Sequence, residues 1–140
     1  MPHPTPAVHA MMQRDRAAAA LGIRIEENEP GRAVMSMTVR EDMTNGFAIT
    51  HGGMVFALAD TAFAYACNED DRVTVAAGAD IAFLKPTRAG QTLTATAVRR
   101  ARSGRTGLYD VTVTDETGDV VAEFRGRSFI TSRTIDGGEA

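Results

Sequence analysis

The feature that most constrains the fold of this 140-residue chain is the alanine-rich stretch from Gly53 to Cys67. Alanine is the strongest helix former, and apolar residues occupy nearly every side of the helix that this stretch would make. A helix that lacks a polar face is buried all round, so we expect this helix at the centre of the protein. The stretch is too short to cross a bilayer and contains Asp60, so no membrane segment is expected.

Segments before and after this helix alternate between strand-like patterns and turn residues. Strands are predicted at 23–26, 33–39, 73–85 (with a bend near Gly78), 91–98, 108–114 and 120–131. A further helix is predicted at about 7–21, ended by Gly22, a loop at 40–50 and a frayed tail at about 133–140. The chain is therefore predicted to be a single α+β domain, residues 1–140, in which an antiparallel sheet of about six strands wraps around the long central helix.

Composition excludes several classes of protein. The formal net charge of −3 provides no global basic field for nucleic acid. The single cysteine, Cys67, cannot form an internal disulfide, and we interpret it as a small buried hydrophobe, with a nucleophile as the alternative. The N-terminus lacks the basic and apolar regions of a signal peptide, so a cytoplasmic location is expected. His3 and His9 form no metal-ligand spacing with His51, and no metal site is expected.

Asp60 is the anomalous residue of the central helix. Its neighbours on the same helical face are all apolar: Phe56, Ala57, Phe63 and Ala64. An aspartate is almost never fully buried unless it is paired, and an apolar environment raises its pKa. Asp60 is therefore a candidate general base or nucleophile. The alternative is a structural aspartate that binds a backbone amide or an arginine from a strand.

Gly52 and Gly53 open the same helix, directly after His51. A helix N-terminus offers free N–H groups that can polarise the carbonyl of a ligand. A glycine pair is also common where a loop simply passes into a helix. The pair lies seven or eight residues before Asp60, roughly 10–12 Å along the axis. A nucleophile must stand about 3–3.5 Å from the carbon that it attacks. If both features are catalytic, the site is therefore shared between two antiparallel helices across a twofold dimer interface.

Several segments together resemble the phenylacetate-degradation thioesterases of the hotdog superfamily over about residues 22–131. The segments that carry the likeness are Asn45-Gly46, His51-Gly52-Gly53, Leu58 to Asn68, Phe83 to Pro86, Gly104 to Val111 and Phe124 to Ser128. The resemblance implies hydrolysis of phenylacetyl-CoA and its ring-hydroxylated relatives. It also implies a homotetramer built from two hotdog dimers, with no metal and no cofactor beyond the CoA of the substrate.

The resemblance also implies roles for individual residues. Asp60 would be the base or nucleophile, and the Gly52 N–H would polarise the carbonyl. Asn45 would orient the thioester or the attacking water, and Thr61 would help to hold the water. His51 would shape the loop, with a hydrogen bond near the carbonyl as a further role. Without the family, Asn45 followed by glycine is typical of a turn, and His51 of a capping or core histidine.

The predicted substrate-binding residues are Gly53, Phe56, Lys85 and Arg105. Arg105 belongs to a group of arginines around a predicted hairpin, with Arg99, Arg100 and Arg102. Such a group either binds the phosphates of CoA or forms a solvated hairpin tip. The aromatic residues that would line an aryl pocket, unless they are core, are Phe47, Phe56, Phe63 and Tyr65.

Two other functions remain open from the sequence. A non-catalytic acyl-CoA binding module would retain its ligand without releasing thiol. An enoyl-CoA hydratase on the same fold would need a histidine a few residues from its aspartate near the helix start, and no histidine follows Asp60.

Overall fold

The computed structural model describes residues 4–135. The helices are α1 (Pro6–Met12), α2 (Arg16–Ala20) and α3 (Gly52–Cys67), and a 3₁₀ turn covers Glu41–Met43. The strands are β1 (Arg24–Glu29), β2 (Arg32–Thr38), β3 (Arg72–Phe83), β4 (Thr92–Ser103), β5 (Thr106–Thr114) and β6 (Val120–Thr134). None of the helices described has the length and apolar character that a membrane span requires.

The six strands form one antiparallel sheet in the order β1-β2-β4-β5-β6-β3, and α3 lies against all of them. The α+β architecture expected from the sequence is therefore present. Phe63 of α3 is fully buried, with its ring 5.6 Å from that of Tyr109 and 5.8 Å from that of Phe124. Gly126 of β6 leaves the space for this ring, because a Cβ at Gly126 would stand 2.7 Å from it. The core is thus the layer between α3 and the concave side of the sheet.

The expectation that α3 is buried on every side is wrong for the single chain. Gly53 is exposed, and Ala57, Asp60, Thr61 and Ala64 are only partly buried. These positions follow one another at helical spacing and form one stripe, which we call the open stripe of α3. It stays open because the sheet covers the opposite side of the helix.

The single N-terminal helix predicted at about 7–21 is also wrong. Two short helices replace it, and Asp15 separates them. The Asp15 carboxylate accepts a hydrogen bond from the N–H of Ala18 (3.0 Å), which makes it the N-cap of α2. Aspartate competes with a continuing helix in this way because its side chain satisfies the first N–H groups of a new one.

The predicted fraying of the tail from about residue 133 is contradicted at its start. Strand β6 continues to Thr134, and Ile135 is buried with its N–H donating to the Asp71 carbonyl at 2.6 Å. Residues 136–140 lie outside the described part of the chain. The bend predicted near Gly78 is present, since the pairing of β3 with β6 shifts register between Ala76 and Gly78.

Candidate active site

A cleft of about 460 Å³ lies at the N-terminal end of α3. Its lining residues include Asn45, Ile49, Gly52, Phe83, Lys85 and Thr87. Two loops form its walls, and they are joined where the Thr50 N–H donates to the Thr87 carbonyl at 2.8 Å and the two hydroxyls lie 2.7 Å apart. The cleft therefore brings the loop before α3 together with the segment that follows β3.

The N–H of Gly52 is the free donor at this helix end. The Gly53 N–H is occupied, because it donates to Nδ1 of His51 at 2.9 Å. The Gly52 N–H has no acceptor within residues 4–135. A side chain at Gly52 has little room, since a Cβ there would stand 3.1 Å from the Phe83 ring. The structure thus leaves one helix N-terminal amide open to the cleft, where the helix dipole favours negative charge.

Asn45 adds a second donor to the cleft. Its Oδ1 accepts hydrogen bonds from the N–H groups of Phe47 (2.9 Å) and Ile49 (3.4 Å). Because both partners are N–H donors, the amide atom that they contact must be the oxygen, which fixes the orientation of the Asn45 amide. Its Nδ2 is therefore left available as a donor. The loop also holds Ala48 at φ 62°, in the left-handed region that alanine rarely adopts. Both the turn and the site interpretation of Asn45 are therefore compatible with its contacts.

The carboxylate of Asp60 accepts no hydrogen bond and forms no ion pair within the described part of the chain. Burial raises its pKa above the ordinary aspartate value, and the negative charge of Asp15 raises it further. The structural alternative, with an arginine or a backbone amide bound to Asp60, is not observed in residues 4–135. An unpaired carboxylate with a raised pKa has the properties of a general base.

Asp60 does not line the cleft of its own chain. It lies eight residues after Gly52 on the same helix, which is roughly 12 Å along the axis. Thr61 lies beside it, and its hydroxyl donates to the Ala57 carbonyl at 2.7 Å, which leaves the oxygen free to accept. One chain therefore unites Asn45, Gly52 and Lys85 but places Asp60 and Thr61 on the open stripe of α3.

Lys85 lines the cleft but does not offer a free charge. Its ammonium lies 2.6 Å from an oxygen of Asp115 and 2.7 Å from one of Asp119. These hydrogen bonds raise the pKa of Lys85, so its charge is permanent and neutralised locally. The Asp115 side chain is fully excluded from solvent. Lys85 therefore holds the segment that follows β3 against the turn between β5 and β6.

The arginine group predicted around the β4–β5 hairpin is mostly paired with acids. Arg99 and Arg102 approach Glu69 at 2.6 and 3.6 Å, and Arg100 approaches Asp110 at 3.3 Å. Arg105 donates to the Ile130 carbonyl at 2.8 Å. The hairpin lies at the Ser103 end of β4, roughly 36 Å along that strand from its Thr92 end. Because the cleft is near the Thr92 end, one chain does not bring Arg105 to Gly52.

The aromatic side chains proposed for an aryl pocket have different positions. Phe56 packs against Phe124 with ring centroids 5.3 Å apart, and Phe63 is core. The Tyr65 hydroxyl donates to Asp15 at 2.9 Å, and Phe47 is 83% exposed. Phe83 was missed by the sequence analysis as a site residue, although it lines the cleft. The sequence did contain a signal for Phe83, because it begins the Phe83 to Pro86 segment that resembles the family.

Cys67 is buried, and its thiol donates to the Ala64 carbonyl at 3.6 Å. Burial raises the pKa of this thiol to about 12, so it is not a thiolate nucleophile at neutral pH. Among the described side chains, no three of the His, Cys, Asp or Glu type are placed to hold a metal ion.

Comparison with known proteins places the chain in one family. The Thioesterase superfamily profile matches residues 47–122. The acyl-coenzyme A thioesterase PaaI of Escherichia coli (strain K12) is 48% identical over 129 residues, which cover 92% of each chain. A putative esterase of Archaeoglobus fulgidus is 30% identical over 83% of this chain and 75% of its own.

Solved structures agree with this match. The structure of the E. coli PaaI protein superposes with a TM-score of 0.89 at 47% identity and covers 91% of this chain and 93% of its own. The crystal structure of a Thermus thermophilus protein gives a TM-score of 0.78 at 39% identity over 83% of this chain and 97% of its own. The predictions of a hotdog fold and of a thioesterase are therefore confirmed, and the chain belongs to the thioesterase superfamily.

Proposed function

We propose that this chain hydrolyses aryl-acetyl CoA thioesters, phenylacetyl-CoA or hydroxyphenylacetyl-CoA, to the free acid and CoA. The observation that carries the proposal is the N–H of Gly52, which has no acceptor within residues 4–135 and belongs to a residue that lines the cleft at the positive end of α3. A relative of high identity supports the choice of acyl group. This E. coli relative is an acyl-CoA thioesterase from the phenylacetic acid degradation operon.

The mechanism follows from the donors and from the one unpaired carboxylate. The thioester oxygen accepts a hydrogen bond from Gly52 N–H, and Nδ2 of Asn45 donates either to that oxygen or to the attacking water. Asp60 removes a proton from water as the water attacks the carbonyl carbon, or attacks that carbon itself. If Asp60 acts as the base, the carbon–sulfur bond then breaks and the CoA thiolate takes up the proton that Asp60 removed from water. If Asp60 attacks, CoA leaves as a thiolate, and water then hydrolyses the mixed anhydride of Asp60 and the acid and supplies the proton for the thiolate. The Thr61 oxygen accepts a hydrogen bond from the water, and His51 holds the loop through Gly53.

This mechanism requires two chains. The separation of roughly 12 Å between Gly52 and Asp60 exceeds the reach of one thioester carbonyl group. Two antiparallel copies of α3 packed through their open stripes bring each Asp60 toward the partner's glycine end. We therefore propose a twofold dimer with two shared sites, assembled further into a dimer of dimers in the cytoplasm.

A thiol-release screen tests the proposal. Wild-type protein is mixed with phenylacetyl-CoA, hydroxyphenylacetyl-CoA and straight-chain acyl-CoAs in the presence of a thiol-trapping dye. The proposal expects the fastest release from the aryl-acetyl substrates. Tight binding without thiol release would instead establish the binding module. In a parallel assay with a 2-enoyl-CoA, loss of the conjugated absorbance without free thiol would establish the hydratase.

Asp60→Asn tests the role of the carboxylate. We expect turnover to fall by about 10²–10⁴, because that is the usual contribution of a general base. The matched control is Asp71→Asn, which removes the same charge from an exposed turn residue and should keep wild-type turnover. Near-normal turnover of Asp60→Asn would refute the mechanism. Single turnover in oxygen-18 water then tests the nucleophile: label in the Asp60 carboxylate would establish direct attack, because a general base directs the label only into the acid product.

A further inference from the structure

The cleft offers no free positive charge along its walls. Lys85 is the one charged side chain among the described residues that line it, and two carboxylates neutralise that charge. The other lining side chains are apolar or uncharged, as for Ile49, Phe83 and Thr87. Such walls suit the acyl group and the uncharged pantetheine arm of CoA. The phosphates, at the far end of that arm from the sulfur, need a cation at the mouth of the cleft.

Arg88 is a cation adjacent to these walls. It directly follows Pro86 and Thr87, which line the cleft, and its Nη1 donates to the Ala48 carbonyl at 3.2 Å. The guanidinium thus bridges the two loops that form the walls. The residue is exposed and has no carboxylate within ion-pair distance anywhere from residue 4 to residue 135. One of its five N–H donors is used, and the others are available to a phosphate.

We infer that Arg88 binds a phosphate of the CoA moiety at the mouth of the cleft, and that Lys85 does not. The inference rests on the proposed function, because it assumes that the thioester reaches Gly52 through this cleft. Within one chain it also replaces Arg105 as the phosphate contact. Arg105 lies at the opposite end of β4, and the arginines around it are held by Glu69 and Asp110.

The experiment compares Arg88→Gln with wild type on three thioesters of phenylacetate. These are phenylacetyl-CoA, phenylacetyl-3′-dephospho-CoA and the phosphate-free phenylacetyl-pantetheine. We expect kcat/KM for phenylacetyl-CoA to fall about tenfold through KM, the usual effect of one charge-assisted hydrogen bond. The value for phenylacetyl-pantetheine should not change. If Arg88→Gln also lowers kcat/KM for phenylacetyl-3′-dephospho-CoA, the contact is to the pyrophosphate. If kcat/KM for that substrate is unchanged, the contact is to the 3′-phosphate.

Two further variants make the result specific. Arg16→Gln removes an equal charge from an exposed α2 residue with no carboxylate partner among those described, and it should behave as wild type. Arg105→Gln tests the rival position. The inference is overturned if Arg88→Gln changes nothing, if it impairs all three substrates equally, as a mere loop support would, or if Arg105→Gln produces the phosphate-dependent loss instead.

Calorimetric titration with CoA alone separates this inference from the proposed function. If wild-type protein releases no thiol from any substrate, the proposed hydrolysis fails. The dissociation constant for CoA then still decides the inference. An increase of about tenfold in Arg88→Gln supports the phosphate contact, and an unchanged constant removes it.

Discussion

At the scale of single residues, the decisive property is the electrostatic environment of Asp60. Asp60 is partly buried on the open stripe of α3, and this burial raises its pKa. The negative charge of Asp15 raises the pKa of Asp60 further. Asp15 is fixed in place by two contacts, the Ala18 N–H and the Tyr65 hydroxyl. A carboxylate that acts as a base must be ionised, so activity should rise with pH through this raised pKa.

Asp15→Asn should move that acid limb of the pH profile toward lower pH. The substitution removes the charge that disfavours ionisation of Asp60, while the effect of burial on its pKa remains. The limb should therefore stay above the ordinary aspartate range. The measurement is kcat/KM against pH for wild type and variant. Asparagine keeps an oxygen for the Ala18 N–H, and its Nδ2 can donate to the Tyr65 hydroxyl oxygen in place of the contact that the carboxylate accepts. The melting temperature should therefore change little, and an unmoved limb contradicts the coupling.

The same raised pKa has a consequence for stability. The folded state holds the Asp60 proton more tightly than the unfolded chain does, so ionisation of Asp60 weakens folding. This loss of stability is absent at pH values below the pKa that Asp60 has in the unfolded chain. It is complete at pH values above the pKa that Asp60 has in the folded protein. Asp60→Asn cannot ionise, and it should therefore melt at a higher temperature than wild type at neutral pH, with the difference vanishing in acid. A residue that costs stability is expected where function requires it.

At the scale of elements, periodicity in the sequence predicted the core well. The predicted start of α3 was one residue from the observed start, its end agreed, and all six strands were found. The failures occurred where a contact between distant parts of the chain overrode the local pattern. Asp15 splits the N-terminal helix because its carboxylate caps α2 and also accepts from Tyr65, a partner fifty positions away. Strand β6 runs further than predicted because it pairs with β3, which no local pattern reveals.

The contact between β6 and α3 yields a prediction about stability. Gly126→Ala should lower the free energy of unfolding by about 1–3 kcal/mol, the usual cost of overpacking a core, because the new Cβ would stand 2.7 Å from the Phe63 ring. The matched control is Gly46→Ala, where a Cβ meets nothing within 4 Å. Chemical denaturation measures both variants. Equal midpoints for the two would show that Phe63 moves aside without cost.

The candidate site divides into a part that the sequence could predict and a part that it could not. The motif around Asn45, Gly52 and Asp60 is local, so its spacing is visible in one chain. The pairing of Lys85 with Asp115 and Asp119 joins segments about thirty residues apart through a turn. That pairing depends on tertiary geometry, and it changes the interpretation of Lys85 from a ligand contact to an anchor.

At the scale of the whole molecule, the proposed active site is incomplete in one chain. Asn45 and Gly52 lie in the cleft, and Asp60 lies on the open stripe roughly 12 Å away. If two chains share each site, then a defect at Asn45 and a defect at Asp60 affect different halves of it. Asn45→Asp supplies the first defect, because it keeps an oxygen for the Phe47 and Ile49 N–H groups but loses the Nδ2 donor. The loss of one such donor typically costs about 10²–10³ in turnover.

Mixing the two inactive variants should therefore restore activity. After unfolding and joint refolding of equal amounts of Asn45→Asp and Asp60→Asn, about half of the dimers contain one chain of each kind. Each mixed dimer has one site with both native residues and one site with neither, so we expect about a quarter of wild-type activity. Refolding each variant alone controls for recovery during the procedure. If the catalytic groups instead act within one chain, no native site can form, and the mixture should stay as inactive as its components.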